Sequence, residues 1–121
     1  MSHADGFDPY NTETVPPVVA RYLSAQGDDE RRQEVAEAFT ADARVTDEGI
    51  DYDGRDRIRA WVDKTGSEYT YTTALIGQRQ EGPDQWTVVA HLEGDFPGGV
   101  VDLRYRFSLE QDRISRLVIA P

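Results

Sequence analysis

FTADARVTDEGIDYDGRDRIRAW, Phe39–Trp61, carries the change of hydrophobic period that decides the fold. It opens on Phe39, read as the end of a helix. Ala43, Arg44, Val45 and Thr46 then alternate as a short strand. Asp47 and Glu48 follow, with a turn at Gly49. A second extended piece, Ile50–Tyr52, closes at Asp53-Gly54, where glycine favours a sharp change of direction. From there Ile58, Trp61 and Val62 fall at i, i+3 and i+4, the apolar stripe of a helix. Asp47 therefore stands at a strand end beside a tight turn, between two amphipathic helices. That position can aim one carboxylate into a cavity from a rigid scaffold.

Upstream, Val15-Pro16-Pro17 starts a helix whose face is Val18, Val19, Tyr22 and Leu23 and which stops at Gln26-Gly27. Asp28 or Asp29 caps a second helix with Val35, Ala36, Ala38 and Phe39 buried. The third helix runs from about Asp56 to Thr65 and stops at Gly66. Downstream the period is that of strands. Glu68–Gly77 is rich in Tyr and Thr, which suit a pleated surface. Gln85–Glu93 and Val100–Leu109 follow, then Arg113–Ile119. In Val100–Leu109 the alternation is cleanest, with Val101, Leu103, Tyr105, Phe107 and Leu109 on one face and Asp102, Arg104 and Arg106 on the other. Short turns between successive strands predict an antiparallel sheet. Its apolar face needs a cover, and three helices precede it. The expectation is an α+β fold in which a curved antiparallel sheet wraps around three N-terminal helices and leaves a cavity. Residues 1–14 have no period and are expected to be a flexible arm, with 15–121 as a single domain.

Composition narrows the chemistry. At 121 residues the chain has room for one core without staples. It has no cysteine, which removes thiolate chemistry and disulfides. His3 and His91 are its two histidines, too few for a multi-histidine metal site, so no metal is expected. A formal charge of −10 argues against nucleic acid or an anionic membrane as partner. No apolar run is long enough to span a membrane, and the first residues lack the basic and apolar marks of a signal peptide. A cytoplasmic protein is the default expectation. Gly94–Gly99 lacks the lysine and spacing of a phosphate loop, so no nucleotide cofactor is expected; Phe96 at its tip is a candidate lid.

Asp47 has two readings: a general base that takes a proton α to a carbonyl or activates water, or a turn aspartate bonded to its own backbone. His91 also has two. In Gln85–Glu93 the apolar set is Trp86, Val88, Ala90 and Leu92, which puts His91 on the outer face with Arg104 and Arg106. A bulge in that strand would instead turn His91 into the cavity as an acid–base partner of Asp47.

The order of elements over residues 15–120 resembles the nuclear transport factor 2-like superfamily, whose cone-shaped, cystatin-like fold includes SnoaL-like polyketide cyclases and ketosteroid isomerase. Three segments carry the resemblance. Arg21-Tyr22-Leu23 is similar to the isomerase's Arg-Tyr-Val, whose tyrosine is an oxyanion donor. Phe39–Asp47 is similar to a Phe-Ala-x-Asp-Ala-x-Val-x-Asp segment that ends on the general base. Gly54-Arg-Asp-Arg-Ile-Arg59 is similar to the start of the family's third helix. The isomerase adds a protonated aspartate to its oxyanion hole; the matching position here is Leu103, and the adjacent Asp102 faces the other side of its strand. The resemblance implies Asp47 as base and Tyr22 as hydrogen-bond donor, with Trp61, Tyr71, Phe96, Leu103 and Tyr105 around a small apolar molecule. It also implies a homodimer through the outer sheet face. Two functions are compatible: a cofactor-free isomerase or cyclase, and a noncatalytic ligand-binding or association module on the same scaffold.

Overall fold

A computed structural model describes residues 6–26, 31–68 and 71–121. Helix α1, Pro17–Gln26, buries Val18, Val19, Tyr22, Leu23 and Ala25. A 3₁₀ helix, Arg32–Ala38, follows. Strands β1, Phe39–Asp47, and β2, Ile50–Asp53, form a hairpin, and α2 spans Arg55–Glu68. Four strands complete the chain: β3, Tyr71–Gly82; β4, Gln85–Gly94; β5, Val100–Glu110; and β6, Arg113–Ala120. All six strands form one sheet in the order β2-β1-β6-β5-β4-β3. Val88, Ala90, Tyr105, Phe107 and Leu117 on the sheet meet Val19, Tyr22, Ile58 and Trp61 from the helices in one core.

Helix α2 runs through the expected stop at Gly66 to Glu68, the residue expected to open the next strand, and three further expectations change. The second of the three predicted α-helices is the 3₁₀ segment; Val35 and Ala38, both buried, are three residues apart and align at three residues per turn. Its expected cap at Asp28 or Asp29, like the helix stop at Gly27, lies outside the described residues. Phe39 does not end a helix but opens β1, fully buried and opposite Ile114. Between Phe39 and Arg44 the register jumps, and the Phe39 carbonyl lies where that irregularity begins. Arg55, the first residue of α2, donates to that oxygen from Nε at 3.2 Å and Nη2 at 2.8 Å. Third, the sheet is not wholly antiparallel, because β1 pairs with β6 in parallel. A parallel neighbour needs a long crossover, and α2 with the β3–β6 meander supplies it.

The two sheet edges are closed differently. Edge strand β2 is short, and its Asp53 is bonded by Arg44 at 2.6 Å. The long edge strand β3 is met by residues 6–14. Asp8 and Gln78 exchange backbone hydrogen bonds at 2.9 and 2.8 Å, and the buried Gln78 Oε1 accepts from Asn11 N at 2.6 Å. Phe7 lies under the Arg79 guanidinium, 4.2 Å from ring centroid to Cζ. A covered edge is protected from pairing with a second chain. Replacing Gln78 with Ala leaves Asn11 N without that acceptor. The expected cost is about 1–2 kcal/mol by urea denaturation, with faster amide exchange at Asp8.

Candidate functional site

A cavity of about 690 Å³ opens at the end of the sheet where β1, the β4–β5 loop and β6 converge. Asp47 is the last residue of β1 and is paired on both sides, with Ile50 of β2 and Ile119 of β6. The turn beyond it has two residues in the left-handed region, Glu48 at φ 54° and Gly49 at φ 76°. That is the two-residue hairpin loop whose twist matches its strands, and a glutamate at its first position is held in an unusual conformation. The Asp47 carboxylate is partly buried, and its Oδ2 accepts from Trp61 Nε1 at 3.0 Å. Trp61 is buried on the inner face of α2, and the Tyr52 ring packs on it with centroids 6.1 Å apart. The carboxylate is thus oriented by a strand, a helix and an aromatic pair.

Trp61, Tyr71, Phe96, Leu103 and Tyr105 all line the cavity with Asp47. Tyr71 and Phe96 meet edge to face, 6.4 Å apart and at 76°. Tyr22 lies under the lining. It is packed edge-on against Phe39 at 5.7 Å and Phe107 at 5.6 Å, and is 1% exposed. Its hydroxyl is buried with no hydrogen-bond partner among the described residues. Burial, then the neighbouring Tyr105, Asp47 and Tyr71, push the Tyr22 phenol well above its ordinary range. Burial chiefly does the same to Tyr105, against a hydrogen bond from Gln26 that opposes the shift. Both phenols are therefore protonated near neutral pH, and Tyr105, which lines the cavity, can donate to an oxygen there.

His91 does not enter the cavity. The β4–β5 register runs unbroken from Gln85 to Glu93, and the nearby bulge falls on β3, between Leu75 and Gly77. His91 therefore faces outward. Its Nδ1 is 2.5 Å from Asp102 Oδ1, and its Nε2 is 3.3 Å from Glu93 Oε2. Asp102 sits on that outer face while Leu103, the next residue, lines the cavity. Among the described residues no group of three or more acidic, histidine or cysteine side chains is arranged to hold a metal.

Two polar lining residues, Gln26 and Glu48, are not among the site candidates read from the sequence. Gln26 reads there as a helix end, yet it is four residues beyond Tyr22, the spacing that places both on one helix face. Glu48 reads as a turn residue and carries no periodic signal.

Two outcomes follow from this geometry. A buried hydroxyl without a partner costs about 1–3 kcal/mol, so Tyr22→Phe is expected to keep or raise the melting temperature. A clear fall would reveal a structural hydrogen bond at that hydroxyl. On the outer face, hydrogen bonding to Asp102 holds the His91 pKa above the ordinary imidazole range. The folded value being the higher one, the pair's stabilisation is complete below the unfolded value and is lost as pH rises through the folded value. In Asp102→Asn the His91 titration, followed by proton NMR, is expected to move down; an unmoved midpoint would count against the pair.

No family model matches the chain, and no curated protein matches it. Solved structures do. A candidate polyketide cyclase from Sinorhizobium meliloti is 30% identical with a TM-score of 0.81, over 92% of this chain and 100% of that one. A protein of ketosteroid isomerase-like fold from Catenulispora acidiphila, in complex with trimethylamine, is 18% identical with a TM-score of 0.77, covering 89% and 87% of the two chains. The Δ5-3-ketosteroid isomerase of a Mycobacterium species is 17% identical with a TM-score of 0.67, covering 88% and 94%. The last two share the fold. With the first, whose whole length is matched, the likeness extends to sequence, and this chain belongs to the SnoaL-like, nuclear transport factor 2-like superfamily.

Proposed function

We propose that this protein is a cofactor-free enzyme of the isomerase or cyclase type, acting by proton transfer on an apolar, carbonyl-bearing metabolite. The observation that carries the reading is the Asp47 carboxylate, partly buried in a cavity with aromatic walls and oriented by the Trp61 indole at 3.0 Å. A base needs a fixed direction and reach to its proton, and Asp47 has a fixed direction. The developing enolate oxygen needs donors that stay protonated. Tyr105, at the cavity wall, supplies one. The similar protein crystallised with trimethylamine and the candidate polyketide cyclase support a small-molecule role.

A noncatalytic ligand-binding module is the second reading. One observation favours it: the Tyr22 hydroxyl lies beneath the lining rather than in it. The two separate by exchange chemistry. A panel of cyclic ketones and enones in deuterium oxide, followed by NMR, is expected to show protein-dependent α-proton exchange. Asp47→Asn should slow it at least ~10²-fold, the usual size of a general-base effect. Its amide oxygen can still accept from Trp61, so its melting curve should stay within about 1 kcal/mol of the parent. Equal exchange by the parent and the variant would remove Asp47 as base. Ligand retained in native mass spectrometry without exchange would select the binding module.

A further inference from the structure

The charges that line the cavity are all of one sign. Asp47 and Glu48, adjacent at the end of β1, are the charged side chains among the described lining residues, and no Lys, Arg or His is among them. Nearby arginines are engaged elsewhere: Arg44 with Asp53 and Asp51 on the outer strands, and Arg55 with the Phe39 carbonyl. The walls add to this field. Trp61, Tyr71, Phe96 and Tyr105 present four aromatic rings, and the Tyr71–Phe96 pair, set at 76°, forms a corner. The face of an aromatic ring is the negative part of its quadrupole and attracts a cation within about 6 Å of the centroid. Leu92, Val101 and Leu103 supply an apolar floor.

We propose that the cavity takes a singly cationic ligand, an apolar body bearing a protonated or quaternary ammonium, with that group held between Glu48, Asp47 and the aromatic corner. An anion would meet two carboxylates in a site with no countercharge among the described residues. A neutral ligand would gain the apolar floor but would leave the two carboxylates without a partner of opposite charge. At the mouth the exposed Glu48 also attracts a cation from solution, with the overall charge of −10 behind it. The inference rests on the cavity being a ligand site and not on its being catalytic.

Three probes of the same shape separate the possibilities: choline, its neutral counterpart 3,3-dimethylbutan-1-ol, and the anionic 3,3-dimethylbutanoate. The readout is the Trp61 indole N–H cross-peak, which reports on the cavity through its bond to Asp47. Choline is expected to shift it saturably, with a Kd about tenfold or more below that of the alcohol. The carboxylate is expected to leave it unmoved. Added salt should narrow the preference. Glu48→Gln, which keeps the size of the turn residue, should reduce the preference at least about threefold. An alcohol that binds as tightly as choline, a carboxylate that binds at all comparably, or no shift with any probe would overturn the inference. Choline preference without α-proton exchange would leave this inference standing and reject the enzyme. Exchange on neutral ketones without choline preference would do the reverse.

Discussion

The hydrogen bond from the Trp61 indole to the Asp47 carboxylate joins α2 to the end of β1, and the geometry of the cavity depends on it. Neither partner is free to turn. Asp47 is fixed by backbone pairing to β2 and β6, and Trp61 by burial and by the Tyr52 ring. A carboxylate on a flexible loop would lose entropy each time it met a substrate. One held by a strand, a helix and a ring has already lost it. The Arg55 contacts to the Phe39 carbonyl act on the same junction from its other end. They let β1 bulge away from β6 near Phe39 and rejoin it in register by Arg44, which sets where Asp47 arrives.

The cavity is not optimised for stability. Tyr22 carries its hydroxyl into a ring of aromatic side chains and finds no partner there among the described residues. Glu48 holds a left-handed conformation that glycine or asparagine would adopt more easily. Both sit next to Asp47, one beneath it in the core and one beside it in the chain. The rest of the core is mostly apolar, with Val19, Phe39, Val45 and Leu117 buried, though Thr87 also buries an unpartnered hydroxyl and Gln111 and Asp112 are left-handed at the β5–β6 turn.

The opposite face of the sheet is a separate chemical surface. His91, Glu93 and Asp102 group there, while Phe7 is packed under Arg79 with Arg104 5.9 Å away. Parity along β4 and β5 keeps the two faces apart, so each acid faces one side only: Asp102 belongs with His91 outside, while Leu103 belongs to the cavity.

The sequence by itself determined whatever depends on local period. Alternation from Val101 to Phe107 assigned Leu103 and Tyr105 to the cavity and Asp102 to the outside, because successive strand residues must face opposite ways. The spacing of Ile58, Trp61 and Val62 fixed the buried face of α2, and Asp47 before a glycine turn was legible as the end of a strand. Long-range pairing is not written in any local period, and there the tertiary structure decided. Phe39 is as apolar in a helix as in a strand; its place opposite Ile114, far along the chain, made it a strand residue. Gln26 became part of the cavity through its bond to Tyr105, and residues 6–14 gained partners because β3 is the free edge of the sheet. The parallel contact of β1 with β6 brings Asp47 beside Ile119. It arises because the β1–β2 hairpin and the meander that follows α2 bury their apolar faces by joining into one sheet.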